Sequence, residues 1–262
     1  MALTIAGSDS SGGAGIQADL KTFHALGVYG MSAITALTAQ NTEGVSGISP
    51  VDPAFVTEQI DTTVGDIPPD AVKTGMLANA AIVEVVAEAF DRHGFAGFVV
   101  DPVMVATTGA LLLEEDAVAA VRSRLVPRAA IVTPNAPEAA TLLDRDVETP
   151  EDQEAAAKAL VEELGAAAAL VKGGDLEGPE VMDVLYDGLE WRRFSAPRIE
   201  TTSTHGSGCA LASAIAAFLA RGEPLAEAVA KARAWVRRGI ENAPPLGRGH
   251  GPLDLFSRPD LD

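Results

Sequence analysis

Cysteine is almost absent from this 262-residue sequence: Cys209 stands alone. A single thiol excludes an intramolecular disulfide and a cysteine-based zinc site, and the four histidines fall at no ligand spacing. Such usage fits a reducing compartment, so a cytoplasmic location is expected. Basic residues are also scarce, with 19 Lys and Arg against 37 Asp and Glu and a formal net charge of -18. With no basic field to neutralise phosphates, nucleic acid is not expected as a partner. No apolar run approaches the roughly 20 residues of a membrane span. Residues 1–10 carry neither a basic region nor a signal-like apolar stretch, so a membrane partner is not expected either. Aromatics make up only 5% of the chain, and internal repeats, low-complexity tracts and Pro/Gly-rich linkers are missing.

What is present is an Ala-, Val- and Leu-rich chain, 47% apolar, which suits helices packed on a mostly parallel sheet. Its length sits at the upper edge of what one core serves, and a single domain over residues 1–262 is expected. A buried strand over 3–6 leads through a Gly/Ser-rich turn at 7–15 into a helix over 16–26. A second strand is predicted over 31–37. Asp52-Pro53 supplies an N-cap and first-turn proline for a helix to about 64. Strands follow over 71–74, 98–101, 130–133 and 168–172, alternating with helices after Asn79, over 116–125 and from Thr149-Pro150 to 165. Residues 181–186 and 190–194 read as a hairpin across Asp187-Gly188, and helices over 207–220 and 225–242 close the chain. This alternation predicts a doubly wound, mostly parallel α/β sheet flanked by helices, with ligands outside the carboxyl ends of its strands.

Chemistry is expected at those ends. Thr204-His205-Gly206-Ser207-Gly208-Cys209 runs straight into an apolar helix. A glycine-rich turn opening a helix leaves N–H groups unpaired and, with the helix dipole, makes an anion site. The same position is expected to lower the Cys209 thiol below its usual ~8.5. A glycine-rich N-cap over a small buried cysteine satisfies the same spacing. Asp101, before Pro102, and Glu138, in Thr133-Pro134-Asn135-Ala136-Pro137-Glu138, offer hard oxygens suited to a magnesium ion that keeps most of its waters. Each alone also reads as a turn residue or a first-turn helix charge. Lys172, before Gly173-Gly174, is placed either to meet a nucleotide phosphate or to stand solvated. Gly13-x-Gly15-x-x-Ala18 loosely matches a dinucleotide fingerprint, but no acidic residue follows the second strand, where the chain reads Thr38-Ala39-Gln40-Asn41.

Taken together, residues 6–22, 34–42, Asp101-Pro102-Val103-Met104, Val171-Lys172-Gly173-Gly174 and residues 204–209 resemble the hydroxymethylpyrimidine kinase family. The long opening motif and a cysteine where sugar kinases of the superfamily carry aspartate are the most specific parts. The resemblance implies a ribokinase-like fold and an enzyme of thiamine biosynthesis. Such an enzyme uses ATP and magnesium to phosphorylate 4-amino-5-hydroxymethyl-2-methylpyrimidine and then its monophosphate. It also implies roles: Gly206, Ser207 and Gly208 as an anion hole, Cys209 as catalytic base, and Gln40, Gly7, Asp19, Val103 and Met76 around the pyrimidine. Lys172, Thr204 and Asn135 would serve the nucleotide, Asp101 and Glu138 the magnesium, and the protein would be a homodimer. Three positions depart from the family pattern: Thr107 replaces a lysine, Ser203 an asparagine, and Thr74 a hydrophobic residue before Gly75-Met76-Leu77. The missing lysine bears on the rate and on the second phosphorylation. The alternatives are a pyridoxal or pyridoxine kinase and a non-catalytic pyrimidine-binding module.

Overall fold

Short runs of small and β-branched residues, each ended by a glycine, proline or acidic turn, become the strands of one sheet. The computed structural model describes residues 1–104 and 115–256. Its strands are β1 (Ala2–Ala6), β2 (Gly30–Ile34), β3 (Ala36–Asn41), β4 (Gly44–Pro50), β5 (Ala71–Thr74), β6 (Phe98–Val100), β7 (Ile131–Val132), β8 (Ala169–Val171), β9 (Glu180–Tyr186) and β10 (Trp191–Pro197). Eight of them pair in the order β10-β9-β8-β7-β6-β5-β1-β2. The six from β2 to β8 run parallel, while β9 is antiparallel to β8 and β10 to β9. β3 and β4 form a separate two-stranded antiparallel sheet.

The helices are α1 (Gly15–Ala25), α2 (Pro53–Asp66), α3 (Ala80–His93), α4 (Glu115–Ala120), α5 (Ala136–Leu143), α6 (Pro150–Glu162), α7 (Ser207–Ala220) and α8 (Leu225–Glu241). They cover both faces of the sheet, because alternate strand residues point to opposite sides. Leu3, Ile5, Val72, Val100 and Val132 pack with Ile60 of α2, Val86 of α3, Leu142 of α5 and Leu160 of α6. Ala2, Ala71, Val99, Ile131 and Leu170 pack with Phe23 of α1, Ile215 of α7 and Trp235 of α8. Each large side chain so buried is worth about 1.5–3 kcal/mol. The fold therefore rests on many small contributions rather than on any one ion pair. Among the described residues no helix is long and apolar enough to cross a membrane.

The caps expected from sequence form. Asp52 accepts the Ala54 N–H, Asn79 accepts the Ile82 N–H, and Thr149 and Asp152 make a reciprocal capping box. Three elements differ. The strand expected over 31–37 breaks at Thr35, whose hydroxyl donates to the Met76 carbonyl at 2.7 Å, and the chain leaves the sheet as β3. The helix expected over 116–125 is α-helical only to Ala120 and continues as a wider π turn over Val121–Leu125. α5, given no bounds in the sequence reading although Glu138 could be read as a first-turn charge, is capped by Asn135 and Glu138. The hairpin predicted around Asp187-Gly188 is β9–β10, joined to the edge of the main sheet.

Candidate active site

The loop after β1 is built around Asp9. Its buried carboxylate accepts hydrogen bonds from the Ser11 N–H (2.8 Å) and hydroxyl (2.7 Å) and from the Gly13 (3.1 Å) and Ala14 (2.8 Å) N–H groups. His205 Nε2 lies 2.8 Å from the same carboxylate, which joins this loop to the one entering α7. Burial alone would raise the Asp9 carboxyl, but the His205 and Ser11 bonds outweigh it and hold it at about 2. Gly206 takes a φ of 80°, a left-handed conformation that glycine adopts without strain. A Cβ there would overlap the Gly13 carbonyl, so the two loops touch backbone to backbone.

Neither α1 nor α7 has a side-chain cap. Their starts lie together: the Gly15 N–H opening α1 is near enough to the Cys209 thiol, in the first turn of α7, to favour its charged form. Cys209 is half-buried. Its helix-end position is expected from sequence to lower the thiol, and the structure overturns this. Burial pushes the thiol up to about 11, a rise that Lys73 opposes without cancelling, because losing water costs a thiolate more than that ammonium returns.

One turn further along both helices, Asp19 of α1 receives the Ser213 hydroxyl of α7 at 2.6 Å. Thr4 donates to it at 2.6 Å, and Lys73 Nζ lies 2.9 Å from both carboxylate oxygens. Asp19 and Lys73 are fully buried. Asp19, expected against the pyrimidine, is thus saturated by protein donors and does not reach the crevice. Lys73 escapes the sequence reading, although a lysine inside the apolar strand Ala71-Val72-Lys73-Thr74 signals a buried partner.

Across the crevice, Lys172 follows β8. Its Nζ is 3.4 Å from Asp101 Oδ1 and 3.8 Å from Glu138 Oε2, and a Cβ on Gly208 would meet it at 3.3 Å. Burial would lower this ammonium, but the two carboxylates hold it above its usual value. Lys172 is therefore no solvated surface lysine: it stands beside the start of α7. Glu138 serves first as the acid of a capping box, accepting the Asn135 N–H at 2.8 Å. Burial pushes its carboxyl up to about 7 against the pull of Lys172. Asn135, expected at the nucleotide, spends its side-chain oxygen on the Glu138 N–H.

Asp101 is better placed for a metal. Its Oδ1 accepts the Thr133 hydroxyl at 3.1 Å, while its buried Oδ2 has no hydrogen-bond partner among the described residues. No cluster of three or more His, Cys, Asp or Glu side chains forms among those residues. One buried carboxylate with an unengaged oxygen fits a magnesium ion that keeps several waters and takes one or two carboxylates.

The remaining residues expected around the pyrimidine lie on the loops after β1, β5 and β6 and at the end of β3. Gly7 lies against Met76: its N–H donates to the Met76 carbonyl at 3.0 Å, and a Cβ would press on the Met76 methyl. Gln40, at the end of β3, receives the Thr38 hydroxyl on Oε1 at 3.1 Å, and its backbone is tied to the first loop through Ser10. Val103 follows Asp101, the residue whose carbonyl takes its N–H. Thr204 accepts the Ser207 N–H, tightening the turn that presents Ser207 and Gly208. Thr107 lies outside the described residues.

The family model described as phosphomethylpyrimidine kinase matches residues 9–254. The hydroxymethylpyrimidine/phosphomethylpyrimidine kinase of Bacillus subtilis is 48% identical over 257 residues, covering 98% of this chain and 94% of that one. The thiamine biosynthesis bifunctional protein ThiED of Geobacter sulfurreducens is 52% identical over 252 residues, 96% of this chain and 51% of that longer protein. In structure, an ADP complex of Bacillus subtilis pyridoxal kinase superposes with a TM-score of 0.90 at 38% identity, covering 98% of this chain and 97% of that one. Ribokinase-like architecture, the loop constellation around Cys209 and near full-length identity agree, and the chain belongs to the phosphomethylpyrimidine kinase family.

Proposed function

We propose that this protein transfers the γ-phosphoryl group of ATP to the hydroxymethyl oxygen of 4-amino-5-hydroxymethyl-2-methylpyrimidine, and then a second one to the monophosphate, in thiamine biosynthesis. The observation that carries the reading is the meeting of two uncapped helix starts at Cys209, with Lys172 beside Gly208. Phosphoryl transfer needs positioning and charge stabilisation more than covalent chemistry. Gly7, Met76, Val103 and Gln40 hold the pyrimidine, and the Gln40 amide offers the ring both a donor and an acceptor. The N–H groups of Gly206 and Gly208 and the Lys172 ammonium stabilise charge on the moving phosphoryl group. Cys209, as thiolate, accepts the hydroxyl proton. Magnesium, held with Asp101 as its carboxylate and Glu138 behind it, would neutralise charge on the nucleotide phosphates. We place the activity in the cytoplasm, in a homodimer of single-domain chains.

The similarity to a pyridoxal kinase gives a second reading, phosphorylation of a B6 vitamer, whose hydroxymethyl heterocycle presents the same attacking group. An ADP-release assay decides between them, using hydroxymethylpyrimidine, its monophosphate, pyridoxal and pyridoxine, each with and without magnesium. The highest kcat/KM is expected with the pyrimidine and a second turnover with its monophosphate. A preference for pyridoxal overturns the first reading, and pyrimidine binding without ADP release overturns catalysis itself.

A further inference from the structure

We propose that Lys73 is a positioning residue for phosphoryl transfer: its buried ammonium is the counter-charge that steadies the Cys209 thiolate until it takes the substrate proton. This rests on the reading of Cys209 as proton acceptor. As the hydroxyl oxygen bonds to the γ-phosphorus and the bond to the ADP oxygen breaks, the proton passes to sulfur, and no electron changes hands.

The geometry is a two-rung ladder between α1 and α7. Gly15 meets Cys209 on the first rung, and Asp19 meets Ser213 on the second. Residues four apart lie one turn along the same helix face, so the Asp19 carboxylate sits one turn from the thiol. Lys73 reaches that rung from β5, and Gly75 leaves it room, since a Cβ there would come within 3.0 Å of Nζ. Asp19 is shared among Lys73, Thr4 and Ser213, so its negative charge is divided among three donors. An ammonium has three protons, of which the two bonds to Asp19 use two.

Stability gives a weak reason for this pair, because a buried ion pair roughly breaks even against apolar residues of the same size. Ionisable groups set beside a reactive side chain in a cleft are instead a common means of tuning it. The mutual attraction of Lys73 and Cys209, each favouring the charged form of the other, agrees.

Because Cys209 is the only cysteine, alkylation by iodoacetamide reads it without interference. Well below the thiol pKa the rate follows the thiolate fraction, partly offset because a more basic thiolate is more nucleophilic. A tenfold loss of thiolate therefore shows as about a 3-fold loss of rate near pH 9 or below. Lys73→Met is expected to slow alkylation at least about 3-fold and to move the rise of kcat with pH to higher values. Should that variant not fold, Lys73→Met/Asp19→Leu removes both buried charges; Asp19 raises the thiol while Lys73, the larger influence, lowers it, so a smaller slowing of alkylation is expected. Alkylation at or above the wild-type rate in either folded variant overturns the proposal. The two readings fail separately. Undiminished turnover in Cys209→Ala sinks the proton-acceptor role while alkylation still reports on Lys73, and unchanged alkylation with an inactive Cys209→Ala removes Lys73 alone.

Discussion

A thiol held near 11 leaves little thiolate at neutral pH, and that fraction grows tenfold with each pH unit until the pKa is reached. Wild-type kcat is therefore expected to climb with pH from neutrality toward about 11 with no plateau on the way. Cys209→Ala should lower kcat by about 10²–10⁴-fold, the usual loss of a general base, and flatten that rise. Near wild-type turnover in a steady-state assay would make the thiol a packing residue. Asp101→Asn should raise the magnesium concentration needed for half-maximal rate, since a neutral amide is a poorer ligand for a hard cation. A magnesium titration that overlays wild type would remove Asp101 from that role. Asp101 and Lys172 were legible because each ends a strand of a parallel sheet. The pairing of Lys73 with Asp19 was not, since 54 residues separate them and the contact exists only after folding; the sequence assigned Asp19 to the pyrimidine instead.

At the level of elements, the site depends on how closely two loops approach. Gly206 combines a left-handed backbone with contact against the Gly13 carbonyl, so Gly206→Ala must push the α7 entry away from the start of α1. Turnover is expected to fall at least about 10²-fold, as when one donor to a developing oxyanion is lost. Thermal denaturation should show a lower Tm as well. Retained activity would mean that the loops can separate freely. Caps were readable ahead of the fold because Asp52, Asn79 and Thr149 act on N–H groups two or three residues away. The β3–β4 pair was hidden for the opposite reason. The chain leaves the sheet at Thr35 without glycine or proline, held by a hydroxyl bond to Met76, 41 residues away.

The molecule as a whole should be sensitive to acid through Asp9, whose depressed carboxyl gathers the loop after β1 and His205 around one charge. A carboxyl at about 2 when folded, against an ordinary 3.8, adds stability that is complete above about pH 4 and lost as pH falls toward 2. The difference amounts to about 2 kcal/mol. Urea unfolding of Asp9→Asn is expected to show lower stability at neutral pH and a gap from wild type that closes in that acid window. A gap that persists unchanged to low pH would deny Asp9 this part.

Among the described residues the sheet is open at both ends, and on one side its last strand is β10. Such a border offers unpaired backbone groups to any other chain, the first step toward fibrils and disordered clumps. β10 carries the exposed, charged Arg192 and Arg193 and ends at Pro197, which has no N–H to give. The strand that closes the pleated layer is thereby a poor template for a neighbouring copy. This matters for a chain that must keep a long, non-local sheet soluble while it forms.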